Sequence, residues 1–259
     1  MTPRTYLFVP GDRPERFDKA LASGADAVVL DLEDAVSPQR KDDARATVRE
    51  RVASGDARLV VRINDESTAW FEADLASLPQ GATVMLPKAE RTATIERLRS
   101  AGFTVLALIE SARGVLNAEA IAEVSDRLVF GTVDFALDLD LSNDPIGLDY
   151  ASSRLALASR AAGLPPPVAG VTVAIDDEAV LLADLARARA HGFGAKLCIH
   201  PKQIAPIHRA LAPSAAELDW AHRVISAAAG ASGAVQVDGR MVDKPVLMRA
   251  QRLLAREQK

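Results

Sequence analysis

The sequence holds a single cysteine, Cys198, so no intrachain disulfide can form and the fold must rest on its core. That fits a reducing compartment. Aromatic residues are scarce, at 4%, which leaves little surface on which to stack nucleobases. Basic charge is not in excess: 31 Lys and Arg stand against 35 Asp and Glu, for a formal net charge of −4. A nucleic-acid-binding chain ordinarily shows the opposite balance. No apolar run is long enough to span a bilayer. The first residues read MTPRTYLFVPGDRPERF, with charges directly after a short apolar stretch, so no signal-peptide core is visible. The expected location is the cytoplasm. Zinc-type Cys/His spacing, a nucleophile elbow, a dinucleotide fingerprint and a P-loop are also missing.

What is present is an ordinary soluble composition, 49% hydrophobic and 25% charged over 259 residues. Short apolar runs alternate with amphipathic stretches. The runs are Tyr6–Val9, Ala27–Leu32, Leu59–Ile63, Thr83–Leu86, Thr104–Ile109, Leu128–Gly131, Val168–Val173 and Ala195–Ile199. Each precedes a stretch with helical spacing. After the sixth run, the polar segment Ser142-Asn143-Asp144-Pro145 delays the helix, which is expected over Asp149–Ala162. Continuous apolar strands alternating with helices imply a parallel sheet covered on both faces. Eight such units predict an α/β fold of the (β/α)8 TIM-barrel type over residues 1–212. A doubly wound sheet is the structural alternative. The remainder, 213–259, departs from the pattern: a helix over Ala215–Ala229, a flexible break at Gly230–Gly233, a short strand at Val235–Val237 and a helix over Lys244–Arg256. It reads as an extension that packs on a neighbouring subunit.

In a parallel barrel the working groups project from the C-terminal ends of the strands. Polar residues crowd those ends here: Asp31, Glu33 and Asp34, then Arg62 and Asn64, Lys88, Glu110, Asp134 and His200. One such residue is an ordinary helix cap or a solvated loop group. The whole set on one rim points to a site, because such groups are costly near a core unless paired or bound to an ion. An all-oxygen acidic set suits Mg²⁺, which takes one or two protein carboxylates and keeps places for water and substrate. Lys88 and Lys196 raise the alternative of Schiff-base chemistry. Lys196 lies near the start of its strand, away from the rim, and the carboxylates around Lys88 favour its protonated form. Cys198 reads as a core residue and not a nucleophile.

Eight segments, in order, carry a resemblance. They are LFVPGDRPERF (7–17), VVLDLEDAV (28–36), VRIN (61–64), LPKAE (86–90), LIESARGVLNA (108–118), FGTVDFALDL (130–139), GAKLCIHPKQI (194–204) and DGRMVDKPVL (238–247). Together they resemble the citrate lyase beta-subunit-like proteins of the HpcH/HpaI aldolase superfamily, which also include malyl-CoA and citramalyl-CoA lyases. The resemblance implies a (β/α)8 barrel and a Mg²⁺ ion coordinated by Glu110 and Asp134. It implies that Arg62 binds the carboxylate of a 2-oxo acid. Glu33 and Asp34 are then expected behind the ligands or on metal-bound waters, with Lys88 beside them. Arg13, Arg16 and Lys19 fall where relatives approach CoA phosphates; the bland alternative is a solvated helix face. Asp243 matches a tail aspartate that acts as acid/base in a neighbouring subunit's site, and its alternative is a helix N-cap. The sequence departs from many relatives at Val133, where an acidic residue often precedes the aspartate, and in its short length.

The activity so implied is retro-Claisen cleavage of a β-hydroxyacyl thioester to a 2-oxo acid and acetyl-CoA, in a homo-oligomer for which a trimer is favoured. Thioesterase or malate-synthase-like chemistry at the same site stays open, as does a non-catalytic subunit of a larger complex. So do the identity of the acid and the carrier, CoA or an acyl carrier protein.

Overall fold

The apolar runs become strands because their residues are β-branched or aliphatic and are buried on both sides. The computed structural model describes residues 2–142, 144–229 and 235–257. Eight strands close into one parallel barrel in sequence order: β1 (Thr5–Pro10), β2 (Ala27–Asp31), β3 (Leu59–Arg62), β4 (Thr83–Leu86), β5 (Thr104–Ile109), β6 (Arg127–Phe130), β7 (Val168–Ala169) and β8 (Ala195–Cys198). Pairing of Thr5 with Lys196 seals β1 against β8. The closed (β/α)8 form replaces the open doubly wound alternative.

Alternation along each strand divides two cores. Tyr6, Ala27, Val29, Val60, Met85, Leu106, Leu108, Val129, Val168, Ala195 and Leu197 fill the barrel interior. The residues between them, such as Val28, Leu30, Val61, Leu86 and Ile109, are equally buried and face the other way, as a period of two demands. At the N-terminal end the buried Arg127 donates to the Pro3 and Pro166 carbonyls and to the Tyr6 hydroxyl, at 2.7, 2.9 and 3.0 Å. At the C-terminal end the same period carries Asp31, Arg62 and Glu110 inward, each two residues beyond an interior residue (Val29, Val60, Leu108). The register that makes the core therefore also aims the charged groups.

Two elements differ from the sequence expectation. A helix, Thr132–Asp138, follows β6 at once. Phe135 is its buried anchor, and Asp134 sits in its first turn, where a carboxylate complements the helix dipole. Only afterwards come a 3-10 turn, Pro145–Leu148, and the expected helix, Asp149–Ala161. Asn143 of the polar segment lies outside the described residues. The seventh strand is two residues, not six: it pairs with β6 at Val129–Val168 and with β8 at Val168–Ala195 and Ala169–Lys196.

The chain forms two compact units, residues 2–207 and 208–257. In the second, the helices Ala215–Ala228 and Lys244–Glu257 enclose Ala221, Val224, Val242, Ala250 and Leu253. Strands β9 (Val235–Val237) and β10 (Arg240–Val242) form an antiparallel hairpin. Its turn, Asp238-Gly239, has φ of 50° and 72°, the left-handed pair that an Asp-Gly turn supplies at low cost. The break expected at 230–233 lies outside the described residues. Among those residues no helix is long and apolar enough to cross a membrane.

Met85, fully buried in the barrel interior, tests the packing. Met85→Ala is expected to cost about 2–5 kcal/mol, read as a lowered urea midpoint; a loss below about 0.5 kcal/mol would show that the interior is loosely filled.

Candidate active site

The inward-facing groups at the C-terminal end surround a cavity of about 370 Å³. Asp31, Arg62, Glu110, Gly131 and Asp134 line it, with Asp34 at its edge and Phe8, Leu108, Val171, Leu197 and Ile199 as apolar wall. Glu110 continues β5 and is 4% exposed. Its Oε1 accepts from the Lys88 backbone N–H at 2.8 Å. Lys88 holds a φ of +46°, a left-handed conformation costly for a residue with a side chain, and such strain gathers at functional sites. Gly131 is the other half of the seat. A Cβ there would lie 2.5 Å from Glu110 Oε2 and 2.6 Å from Glu110 Cβ, so only glycine leaves room for the carboxylate. The sequence reading passed over Gly131, and its position directly after β6 was the available cue.

Arg62 is held by Asp31 through two parallel bonds, Nε to Oδ1 at 2.8 Å and Nη2 to Oδ2 at 2.6 Å. Its guanidinium lies 4.9 Å over the Phe8 ring. Glu33 Oε2 lies 2.8 Å from Arg62 Nη1, yet no N–H points at it, and this buried oxygen accepts no hydrogen bond. Lys88 Nζ is 3.8 Å from Glu33. The structure thus brings together Glu33, Asp34, Arg62, Lys88, Glu110 and Asp134 on one rim. Arg13 and Arg16 lie on the exposed turn after β1, each 3.9 Å from a neighbouring acid, Asp12 and Glu15, and Lys19 is exposed on the following helix. Asp243 belongs to the C-terminal unit, where its Oδ1 caps the last helix by accepting from Val246 N at 3.2 Å. His200 is a cap too: its Nδ1 accepts from Lys202 N. Lys196 is buried on the outer face of β8 and donates to the Gly170 carbonyl at 2.7 Å, outside the rim cavity.

Electrostatics follow from this crowding. Burial raises the Glu110 pKa to about 8; Glu33 and Asp134 add to the rise, while the Lys88 N–H and Arg62 oppose it. Burial likewise pushes Glu33 to about 7, against Arg62 and with help from Asp34 and Asp31. Burial pulls the Lys88 pKa down, but Glu33, Asp65, Asp34 and Glu110 outweigh it and leave the group above the usual lysine range. A lysine so held is an ammonium and not a Schiff-base nucleophile.

Five carboxyl groups, Asp31, Glu33, Asp34, Glu110 and Asp134, stand against three cations, Arg62, Lys88 and Lys41, an excess of two negative charges when all five are ionised. Among the described residues no group of three or more His, Cys, Asp or Glu converges as a ready metal cage. The donor set instead fits a hard dication that takes two carboxylates and completes its shell from water and substrate. Glu33 Oε2, ion-paired with Arg62 at 2.8 Å but accepting no hydrogen bond, would supply an acceptor for a water on such a cation.

Two outcomes test this geometry. In metal-free protein the raised Glu33 and Glu110 pKa values mean that the folded state binds more protons than the unfolded state between about pH 4.5 and 8. Their contribution to stability is complete below that window and is lost as pH rises through it. Urea unfolding in chelator at pH 5, 7 and 8.5 should show falling stability, and Glu110→Gln should flatten the fall; an unchanged slope would contradict the burial of this charge. Gly131→Ala should keep the barrel by circular dichroism yet weaken binding of a divalent cation about tenfold or more in calorimetry, a loss of the size that displaced metal-site geometry produces.

Residues 4–201 match the family described as HpcH/HpaI aldolase/citrate lyase, and residues 158–258 match one described as a C–C bond lyase of the TIM-barrel fold. A citrate lyase subunit beta-like protein of Deinococcus radiodurans is 37% identical, over 98% of this chain and 97% of its own. A (3S)-malyl-CoA thioesterase of Cereibacter sphaeroides is 35% identical, over 98% of this chain and 94% of its own. The crystal structure of CitE from Mycobacterium tuberculosis in complex with magnesium, acetoacetate and coenzyme A superposes with a TM-score of 0.89 at 37% identity, over 99% of this chain and 98% of that one. With a family model over residues 4–201 and a relative 37% identical over nearly its full length, the chain belongs to the HpcH/HpaI aldolase/citrate lyase family.

Proposed function

We propose that this chain is a Mg²⁺-dependent carbon–carbon lyase that cleaves a β-hydroxyacyl thioester to a 2-oxo acid and an acetyl thioester. The observation that carries the reading is the excess of carboxylates around a cavity whose other wall is apolar. Glu110 and Asp134 hold the cation, and Glu33 and Asp34 stand beside it to orient bound water. When bound, Mg²⁺ supplies Lewis-acid stabilisation of the oxygen at C2 of the oxo acid portion as the carbon–carbon bond breaks. Arg62, fixed by Asp31, turns its remaining N–H groups to the substrate carboxylate. The hydroxyl at C2 gives its proton to water as its carbon becomes the oxo carbon; the thioester fragment leaves as an enolate, and Asp243 of a neighbouring subunit in a homo-oligomer, with a trimer favoured, protonates it. Arg13, Arg16 and Lys19, exposed and loosely paired, suit the phosphates of a CoA carrier. The magnesium, acetoacetate and coenzyme A held by the M. tuberculosis relative support this assignment.

The wall of the cavity narrows the acid. Arg62 is the one cation lining it among the described residues; the other lining groups are carboxylates, Gly131, Thr132 and an apolar wall that includes Phe8, Leu108, Val171, Leu197 and Ile199. A second carboxylate on the oxo acid would find no second cation lining the cavity, a costly burial. A hydrogen or methyl group fits. Malyl or citramalyl thioesters are therefore favoured over citryl.

A specific observation supports a second reading. One relative is named as a (3S)-malyl-CoA thioesterase, so hydrolysis at the same site is the competitor.

Purified protein with Mg²⁺ and malyl-, citramalyl- and citryl-CoA distinguishes these. Release of a 2-oxo acid with acetyl-CoA from the first two, abolished by chelator and by Asp134→Asn, is the expected result. Free thiol without acetyl-CoA would establish hydrolysis, and no turnover would favour a non-catalytic subunit. Asp243→Asn should lower kcat by about 10²–10⁴ with little change in KM; wild-type turnover would remove Asp243 from the chemistry.

A further inference from the structure

Lys41 opens the helix Lys41–Val52 and is 6% exposed. Its Nζ donates to the Leu32 carbonyl at 2.6 Å, to the Glu33 carbonyl at 2.7 Å and to Asn64 Oδ1 at 2.7 Å. An ammonium has three N–H groups, so every donor is used. Two of the acceptors are consecutive carbonyls of the segment that carries Glu33 and Asp34 away from β2. The third follows β3, two residues beyond Arg62.

Asn64 is itself fixed. Its side-chain and backbone N–H groups both donate to Asp74 Oδ2, at 2.6 and 2.8 Å, and Asp74 Oδ1 accepts from Arg45 Nε at 2.8 Å. Asp74 is fully buried. From the barrel side the same segment is gripped by Asp31, whose carboxylate accepts from Glu33 N at 2.9 Å and Ala35 N at 3.3 Å. Residues 32–35 are thus held by their N–H groups on one side and by their carbonyls on the other. The Glu33 carbonyl also accepts from Val36 N at 3.0 Å within the turn itself; Lys41 alone ties both the Leu32 and Glu33 carbonyls to another element.

We propose that Lys41 is the positioning residue of the acidic rim: by fixing the Leu32 and Glu33 carbonyls, it sets where the Glu33 and Asp34 carboxylates stand beside the cation held by Glu110 and Asp134. The inference rests on the metal-site reading above. Charge and position predict opposite signs for the loss of this side chain. As a bare positive charge Lys41 repels a metal ion, so a neutral replacement tightens binding. As a positioning group it organises the acidic surroundings of the metal, so a neutral replacement weakens binding. Groups that orient a metal site from behind its ligands are worth about 10–100-fold in metal affinity.

The test titrates Mn²⁺ against wild type, Lys41→Met and Lys41→Gln, reading free Mn²⁺ by its electron paramagnetic resonance signal. Methionine keeps the length of the side chain without the donors. Glutamine is shorter and neutral, and answers the same question if Lys41→Met does not fold. Leu98→Ala serves as a control: Leu98 is fully buried on the helix Thr92–Ser100, and its carbonyl accepts from Phe103 N just before β5 begins, at the barrel end opposite the rim. The expected result is a loss of Mn²⁺ affinity of about tenfold or more in a folded Lys41 variant, with Leu98→Ala at the wild-type affinity. Equal or tighter binding by the folded Lys41 variant overturns the proposal, as does an equal loss in Leu98→Ala. A wild-type protein that binds no Mn²⁺ removes the metal-site reading itself, an outcome distinct from wild-type binding that the Lys41 variants share.

Discussion

Asp31 ends β2 directly beside the end of β3, and its carboxylate is committed on every side. It takes two parallel bonds from Arg62 and two backbone N–H groups from the turn that follows it. The first pair ties neighbouring strands together at the rim. The second bends the chain so that Glu33 returns toward the cavity. Removing either partner would leave a charge stranded at 1% exposure for Asp31, a penalty far larger than the net worth of the pair. The pair is therefore a constraint on the whole rim, and Arg62, Glu33 and Asp34 can occupy only the places it permits.

That constraint explains why the site carries an electrostatic excess. A barrel directs a residue from every second position inward, and at the C-terminal layer this chain spends those positions on Asp31, Arg62 and Glu110 rather than on aliphatic side chains. Packing keeps them close, so repulsion between Glu33 and Glu110 cannot be relieved by rearrangement. Proton uptake and cation binding are the two ways left, and they compete for the same oxygens. The cost of concentrating charge here is borne by the two aliphatic cores that surround the strands.

Much of this was legible in the sequence. Eight apolar runs followed by helical spacing specify the barrel, and polar residues directly after those runs mark its working end. Glu110 and Arg62 stood out because a charge two residues beyond a buried strand position has nowhere else to point. What stayed hidden depends on partners distant in sequence. Lys41, Arg45 and Asp74 lie on helices whose remaining charges are mostly exposed, and only the fold shows that these three meet one another's networks inside. The helix Thr132–Asp138 was masked by its brevity, with a single aromatic anchor in place of a repeating apolar stripe. The length of β7 depends on where its neighbours β6 and β8 offer partners, so no inspection of Val168–Val173 alone reveals it. The left-handed backbone of Lys88 carries no signal in the residue type.

The contact between Gly131 and Glu110 has a consequence for how this site changes over generations. The two residues come from adjacent strands, yet one occupies the space that the other leaves vacant. A larger residue at 131 is tolerable only alongside a shorter acid at 110, and a shorter acid at 110 leaves a hollow that a larger residue at 131 would fill. Either substitution alone displaces the carboxylate or leaves it unsupported, so the two positions act as one fitted pair, and a change at one is best answered by a change at the other.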